Sequence, residues 1–152
     1  MKYTATIHWQ KEVNESFTNN KYSRFHQWKF DGITVPASAS PHIVPLPLSN
    51  EKAIDPEEAF VAALSSCHML FFLSLASAEG FTIERYEDAA EGFLGKNEKN
   101  KMVITEVILH PKIIFSGSPI PNGKKIMELH EAAHERCYIA NSVFTKINII
   151  PL

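Results

Sequence analysis

Hydrophobic and polar residues alternate in two stretches near the start of the chain, at residues 3–9 and 22–30. Alternation with a period of two is typical of a β-strand that buries one of its faces. We therefore expect a strand in each stretch. In the first, one face carries Tyr3, Ala5, Ile7 and Trp9.

The segment after the second stretch predicts a turn, a short strand and a loop. Asp31-Gly32 is a turn signal, and it leads into an apolar run at residues 33–36. Residues 36–50 contain four prolines, which lack a backbone N–H and restrict φ. We expect this proline-rich segment to be an extended loop.

The clearest helix signal begins at Asp55. This residue is a suitable N-cap, Pro56 suits the first helical position, and two glutamates follow at the positive end of the helix dipole. Residues 59–78 are almost all apolar or small, and Gly80 suits the position just after a helix. The sequence predicts a helix of about 24 residues, about 36 Å long at a rise of about 1.5 Å per residue.

The second half of the chain predicts two strands joined by a hairpin, a second helix and a last strand. The expected segments are strands 81–93 and 102–115 around a polar hairpin at 95–100, helix 124–136 after Asn122-Gly123, and strand 143–150. Hairpin-linked strands combined with two separate helices predict an α+β fold.

The first helix is apolar enough to raise the question of a membrane span, because about 20 apolar residues can cross a bilayer. Serine, cysteine and histidine interrupt its apolar run, and a helix that is apolar on all sides is otherwise buried. We expect a buried helix and no membrane contact. A chain of 152 residues has little material to surround such a helix, which favours a homodimer.

Composition and charge narrow the function classes. The chain is 45% hydrophobic and 21% charged with a formal net charge of −2, so we expect neither global disorder nor a nucleic-acid partner. Two cysteines are too few for a secreted disulfide scaffold. No long apolar run follows Lys2, so we expect no signal peptide, a cytoplasmic location and reduced thiols.

A metal-binding pattern occurs in the second helix. His130 and His134 belong to the sequence HEAAH, in which two imidazoles one helical turn apart can share a zinc ion. Cys137 falls on the same face and is a candidate third ligand. A helix rich in histidine and glutamate meets this short pattern easily, so an ordinary solvent-facing or interface helix is the favoured interpretation. We predict no metal, and a zinc-binding protein or hydrolase is the alternative.

The two cysteines, Cys67 and Cys137, lie 70 positions apart. Each is compatible with an ordinary buried thiol, and sequence spacing alone does not bring them together. A redox pair needs one thiolate that attacks an oxidant, a second thiol that resolves the sulfenic acid, and positive charge nearby. Of the three arginines, Arg24 lies within a predicted strand among aromatic residues and is the one that most needs a functional or ion-pair explanation.

Both cysteine segments carry a resemblance to a known family. The segment 55–68, DPEEAFVAALSSCH, resembles the helix of the OsmC/Ohr family in which Pro-Glu-Glu precedes Ser-x-Cys. The segment 134–143, HERCYIANSV, is similar to the segment that carries that family's second cysteine. The order of elements also agrees, so the resemblance covers nearly the whole chain. It is closest to the OsmC-like branch through YSRFH at 22–26 and SSCHML at 65–70.

The resemblance implies a fold and an activity. The implied fold is a single OsmC-like domain over residues 1–152, with antiparallel sheets, a long buried helix, a second helix and an intertwined homodimer. The implied activity is that of a thiol peroxidase that acts on small organic hydroperoxides without a bound cofactor. The implied reductant is an external dithiol such as a lipoyl protein.

The resemblance also implies roles for individual residues. Cys67 matches the peroxidatic cysteine and Cys137 the resolving cysteine, while Glu57 matches a glutamate that pairs with an arginine. Arg24 lies at about the position of that arginine in the Ohr branch. The OsmC branch takes its arginine from nearer the helix, where residues 45–47 of this chain contain none.

The positions of these residues along the first helix bear on how they could form a site. Glu57 and Cys67 are ten residues apart, about 15 Å along one helix, so two antiparallel copies of the helix are expected to bring them together across a twofold axis. Apolar residues of this helix are candidate walls of a substrate pocket, although large apolar residues more often form the core. They are Phe60, Leu64, Phe71 and Phe72.

Two histidines, His26 and His68, depart from the family's pattern and are expected to support the substrate site or an interface. His68 follows Cys67 directly, but adjacent helical side chains point about 100° apart and do not face each other. Besides the peroxidase and the zinc alternative, a non-enzymatic thiol-containing dimer that binds an apolar ligand remains open.

Overall fold

A computed structural model describes all 152 residues of the chain. They form two compact units, Met1–Ala59 and Phe60–Leu152. Two helices and mostly antiparallel sheets confirm the predicted α+β fold. The elements in chain order are β1 Thr6–His8, β2 His26–Phe30, β3 Ile33–Ala37, α1 Pro56–Ala78, β4 Thr82–Asp88, β5 Glu91–Lys96, β6 Met102–Leu109, β7 Pro111–Ser116, α2 Gly123–Arg136, a short 3-10 helix Ala140–Ser142, and β8 Lys146–Ile149.

The first unit contains an antiparallel sheet with the strand order β1-β2-β3. The predicted turn between β2 and β3 is confirmed, with Gly32 at a φ of +82° that favours glycine. The second strand is shorter than predicted, because β2 begins only at His26. Just before it, the backbone N–H of Arg24 donates to the carbonyl of Leu48 at 2.7 Å, so the proline-rich loop takes the place of a neighbouring strand.

Helix α1 begins and ends as its sequence predicts. The Asp55 carboxylate accepts a hydrogen bond from the Glu58 N–H at 2.8 Å, and the Glu58 carboxylate accepts one from the Asp55 N–H at 3.2 Å. This reciprocal capping box satisfies two N–H groups that the first helical turn leaves free. The helix ends at Ala78, and Gly80 adopts a φ of +81° just beyond it.

The two long strands predicted for residues 81–93 and 102–115 are each divided in two, so the prediction of two continuous strands is wrong. β4 pairs with β7 and β5 pairs with β6, both antiparallel, which keeps the predicted hairpin pairing. The break on the return strand lies at His110, between the end of β6 at Leu109 and the start of β7 at Pro111. Proline has no N–H for the ladder, and the His110 N–H donates instead to the Asp88 carboxylate at 2.6 Å.

The last strand joins the β5–β6 hairpin. β8 pairs with β6 in parallel and completes a sheet with the strand order β5-β6-β8. It is shorter than the predicted strand at 143–150, because Ala140–Ser142 forms a 3-10 helix and pairing begins at Lys146. Helix α2 begins at the expected place, where the Asn122 side chain accepts a hydrogen bond from the Lys125 N–H at 2.9 Å.

The hydrophobic core of the second unit lies along one face of α1 and consists of two clusters. One cluster joins α1 to α2 and contains Phe72, Ala76, Leu129 and Ala133. The other joins α1 to β6 and contains Leu64, Val107 and Leu109. Both clusters use the same stripe of α1, in which every fourth residue from Leu64 to Ala76 is buried.

Much of the remaining apolar surface of α1 is uncovered in the single chain. Only 22% of its most apolar 18-residue stretch is buried, and the Leu70 side chain is 59% exposed. By length and composition alone, α1 is able to cross a membrane. Its buried stripe forms the core of the second unit, so the predicted burial holds for this face alone within the single chain.

Candidate active site

The two cysteines are neighbours in the second unit. Cys67 lies in α1, and Cys137 follows the last residue of α2. Both are free thiols, and the Cys137 side chain is buried whereas Cys67 is half-buried. The approach of α2 to α1 in the core therefore brings together two thiols that lie 70 positions apart in the sequence.

The surroundings of Cys137 keep its sulfur protonated. Burial, and then a hydrogen bond with the Cys67 thiol, raise the pKa of Cys137 to about 11. The backbone N–H of Ala140 donates to the Cys137 sulfur at 3.4 Å and acts in the opposite direction. Cys137 is thus a neutral thiol at pH 7 whose sulfur faces the more accessible Cys67.

A second contact between the same two helices involves histidines. The His68 Nε2 atom on α1 lies 2.9 Å from the His130 Nδ1 atom on α2, and the rings stack with an interplanar angle of 7°. Both side chains are 1% exposed. Burial lowers the pKa of each imidazole to about 4, so both rings are neutral at pH 7.

The HEAAH pattern does not bring three metal-binding side chains together within the chain. His130 faces His68, and no group of three histidine, cysteine or acidic side chains is arranged so that it could hold a metal ion. His134 and Cys137 therefore do not complete a ligand set with His130. Zinc sites use at least three protein ligands, so the zinc-binding alternative stays a prediction for which the single chain supplies no ligand set.

Arg24 lies in the first unit and binds its own loop. Its guanidinium donates to the Asn20 side-chain oxygen at 2.7 Å, to the Asn20 carbonyl at 3.2 Å and to the Tyr22 carbonyl. It also stacks on the Tyr22 ring, with 3.7 Å between the guanidinium carbon and the ring centroid. Tyr22 in turn packs on Phe17 and Trp9. The guanidinium is therefore held against a cluster of three aromatic rings in the first unit.

His26 supports this loop through both of its ring nitrogens. Its Nδ1 atom lies 2.7 Å from the Arg24 carbonyl oxygen, and its Nε2 atom accepts a hydrogen bond from the Trp28 indole at 2.9 Å. A carbonyl can only accept and an indole can only donate, so Nδ1 carries the proton. His26 thereby fixes the backbone on which Arg24 is mounted.

Glu57 lies in the first turn of α1, next to the capping residue Asp55. Its side chain is half-buried and makes no ion pair or side-chain hydrogen bond within the chain. The expected pair with Arg24 is not made within the single chain, since the guanidinium binds Asn20 and Tyr22 instead. The Glu57 carboxylate is left with a free hydrogen-bonding capacity.

The four apolar candidates of α1 fall into two classes. Leu64 and Phe72 are fully buried in the two core clusters, so their side chains line no open pocket in the single chain and serve the fold. Phe60 and Phe71 are only partly buried at the edges of these clusters. Phe71 contacts Tyr138, the residue after Cys137, with 5.1 Å between ring centroids.

Sequence reasoning missed His130 as the partner of His68. The available signal was the four-residue spacing that places His68 on the same stripe of α1 as Leu64 and Phe72. A histidine on a buried stripe needs a polar partner, and the HEAAH helix offered one. The HEAAH spacing is typical of a zinc site, so it predicts a metal instead of this hydrogen bond between histidines.

The chain has clear relatives. The family model described as OsmC-like protein matches residues 49–151. An OsmC-like protein of unknown function from Vibrio cholerae is 50% identical, with a TM-score of 0.98 over 100% of this chain and 99% of that chain. Among curated proteins, no sequence matches significantly.

Two organic hydroperoxide resistance proteins share the fold at low identity. The protein of Elizabethkingia anophelis is 18% identical, with a TM-score of 0.67 over 99% of this chain and 95% of that chain. The protein OhrB of Bacillus subtilis is 17% identical, with a TM-score of 0.68 over 99% of this chain and 98% of that chain.

Proposed function

Because the chain belongs to the OsmC-like protein family, we propose that it is a thiol-dependent peroxidase that reduces organic hydroperoxides. The observation that carries the proposal is the adjacency of Cys67 and Cys137, one half-buried and one buried. Two relatives of the same fold are named for organic hydroperoxide resistance. Membership of this family supports a peroxiredoxin-like role, and a pair of neighbouring thiols is suited to that role.

The two thiols are oxidised in two steps, and an external dithiol then reduces them. The Cys67 thiolate attacks the outer peroxide oxygen, an S–O bond forms, the O–O bond breaks, and the alkoxide takes up a proton and leaves as an alcohol. The Cys137 sulfur then attacks the Cys67 sulfenic acid. The S–S bond forms, and the thiol proton of Cys137 leaves with the hydroxide as water. An external dithiol, such as a lipoyl protein, reduces the Cys67–Cys137 disulfide by exchange.

The difference in burial between the two thiols supports this order of events. Cys67 is the more accessible, so it meets the peroxide first. Cys137 stays protonated because burial and the Cys67 thiol raise its pKa to about 11. The Ala140 N–H at 3.4 Å from the Cys137 sulfur is placed to stabilise negative charge as the proton is lost.

We propose that the remaining site residues serve Cys67. Arg24 stabilises the thiolate and the charge that develops on the peroxide oxygen, and Glu57 holds Arg24, as the family resemblance implies. His26 fixes the Arg24 backbone through its contact with the Arg24 carbonyl. Phe60 and Phe71 provide apolar contacts that favour an organic hydroperoxide over hydrogen peroxide.

We further propose that the functional unit is a homodimer. The uncovered apolar surface of α1 supports it, since exposed contiguous apolar surface marks an interaction site. Glu57 also supports it, because its carboxylate has no partner within the chain and a second copy can supply one. The proposed setting is the cytoplasm, where thiols are kept reduced, with no bound cofactor and no nucleic-acid or membrane partner.

A coupled assay with cumene hydroperoxide and dihydrolipoamide tests the activity. We expect turnover in the wild type, none in Cys67→Ser, and wild-type turnover in the matched control Ser66→Ala, whose side chain is exposed on the same helix. Turnover that survives Cys67→Ser contradicts the proposal. Binding of the hydroperoxide without turnover indicates the non-enzymatic ligand-binding alternative instead.

A further inference from the structure

The buried pair of His68 and His130 has no role in the chemistry described above. One ring nitrogen of each histidine is used in the 2.9 Å hydrogen bond that joins them. The other two nitrogens, His68 Nδ1 and His130 Nε2, are buried and have no hydrogen-bond partner. Phe72 packs against the His130 ring, with 4.3 Å between ring centroids.

Such a pair stabilises a core less than an apolar pair of the same shape. Each unpartnered buried nitrogen costs free energy, whereas two apolar side chains of similar shape would pack without this cost. Stability alone therefore does not explain the pair. What a hydrogen bond adds to an apolar contact is direction, because it forms only when donor and acceptor face each other.

The pair acts on the same two elements that carry the cysteines. His68 directly follows Cys67 in α1, and His130 lies seven residues, or about two helical turns, before Cys137. Seven residues return a helix to nearly the same face, so His130 and Cys137 lie on one side of α2, and both are 1% exposed. The side chains of Cys67 and His68 point about 100° apart and reach α2 at these two separate places.

Two contacts at different places define the position of α2 better than one. A rotation of α2 about its axis, or a slide along α1, breaks the histidine hydrogen bond and moves the Cys137 sulfur away from Cys67. A disulfide tolerates little such displacement, since its Cα atoms must lie within about 7 Å and its Cβ atoms within about 4.5 Å. The apolar contacts of Phe72 and Ala76 with α2 have no comparable directionality.

We propose that His68 and His130 are positioning residues for the resolving step, and that their hydrogen bond holds Cys137 where it attacks the Cys67 sulfenic acid. The inference rests on the proposed peroxidase function. The histidines bond to each other and make no hydrogen bond to either sulfur. Their removal therefore leaves the first step intact, slows the second, and lengthens the life of the sulfenic acid.

The experiment separates the two steps in a single turnover. Reduced protein is mixed with one equivalent of cumene hydroperoxide. Peroxide consumption gives the rate of the first step, and acid quenching with mass spectrometry gives the rate at which sulfenic acid becomes disulfide. For His130→Leu we expect peroxide consumption within about twofold of wild type. We expect disulfide formation to slow on the order of tenfold to a hundredfold, the usual cost of a misplacement of about 1 Å.

Three matched variants distinguish positioning from general loss of stability. Leu129→Ala removes the buried neighbour of His130 in the core and leaves the histidine pair in place, so its disulfide rate is expected to stay near wild type. His130→Asn places an amide where Nδ1 lies and is expected to restore the rate. His130→Gln places its amide at the position of Nε2 and is expected not to restore it.

Each outcome decides the inference. Disulfide formation at the wild-type rate in His130→Leu overturns it, as does an equal slowing in Leu129→Ala. If His130→Leu does not fold, the contrast between His130→Asn and His130→Gln decides, and equal rates in those two overturn it. Absence of both sulfenic acid and disulfide in the wild type is the failure of the proposed peroxidase function instead, and it is seen before any variant is compared.

Discussion

The imidazoles of His68 and His130 lie parallel and share one hydrogen bond of 2.9 Å inside the second unit. Burial is the largest cause that lowers the pKa of both rings from 6.5 to about 4. His134 lowers the pKa of His68 further and the Asp88 carboxylate raises it, while His68 lowers that of His130. The folded protein thus resists protonation of this pair.

Acidification between pH 6.5 and about 4 is therefore expected to destabilise the protein. In that interval the unfolded chain binds protons that the folded chain does not, so the free energy of unfolding falls as the pH falls. Well above pH 6.5 both histidines are neutral in the folded and the unfolded chain, so this loss of stability is absent there. With one pKa unit worth about 1.4 kcal/mol, the loss is at most roughly 3 kcal/mol for each histidine.

Urea unfolding at a series of pH values measures this effect. The double variant His68→Leu, His130→Leu is the control, because it removes both rings and leaves the other titratable groups unchanged. We expect the free energy of unfolding of the wild type to fall more steeply with acid than that of the double variant. Equal slopes in the two proteins would show that the pair does not titrate as described.

Gly92 on β5 is a place where α1 approaches the sheet closely. A Cβ atom at this position would meet the Val61 side chain at far less than van der Waals distance. Gly92→Ala is therefore expected to cost about 1–3 kcal/mol of stability through overpacking. Gly123→Ala is the control, since nothing lies within 4 Å of a Cβ there and the residue begins α2. Thermal unfolding checks both, and an equal effect of the two substitutions contradicts the account.

The parts of the fold that the sequence predicts well are those fixed by neighbouring residues. The start of α1 depends on Asp55 and Glu58, three positions apart, and its end depends on Gly80. The turn at Gly32 and the N-cap at Asn122 are equally local. Their hydrogen bonds form within a few residues, so the residue types alone suffice to predict them.

The parts that the sequence does not predict depend on contacts between distant segments. The break between β6 and β7 depends on Asp88, whose carboxylate accepts a hydrogen bond from the His110 N–H, 22 positions away in the sequence. The pair of His68 and His130 joins residues 62 positions apart. The pairing of the cysteines came from family resemblance, because no local pattern places the end of α2 beside the middle of α1. The expected pair of Arg24 and Glu57 is not made within the single chain, where the loop of Arg24 supplies its hydrogen-bond partners.

The exposed apolar surface of α1 leads to a prediction on assembly. Leu70 is 59% exposed on this helix, and a charge at that position would be buried in the proposed dimer. Leu70→Glu is expected to weaken the dimer by roughly 100-fold, because an unpaired buried carboxylate costs several kcal/mol.

Analytical ultracentrifugation measures the dimer dissociation constant. The control is Ile120→Glu, which introduces the same charge at a residue that is 63% exposed in the segment before α2. We expect this variant to remain dimeric. A monomeric wild type at micromolar concentration, or a Leu70→Glu protein that dimerises as tightly as the wild type, contradicts the proposed interface.

Cys137→Ser separates the two halves of the proposed cycle. Without the second thiol, one equivalent of hydroperoxide is expected to leave Cys67 as a sulfenic acid, which dimedone traps as a stable adduct. Excess hydroperoxide then carries Cys67 on to the sulfinic acid. Mass spectrometry of the peptide that contains Cys67 measures both products. A Cys137→Ser protein that still completes turnover with a dithiol at the wild-type rate would remove Cys137 from the mechanism.

The proposed thiol cycle is tested by the product that forms when the reduced protein meets one equivalent of cumene hydroperoxide. Mass spectrometry of the intact chain and of its peptides identifies that product. We expect a loss of the two thiol hydrogens and a single cross-linked peptide pair that joins Cys67 to Cys137, with neither change in Cys67→Ser. A chain that keeps both thiols free, or that oxidises without joining these two cysteines, contradicts the proposed thiol cycle.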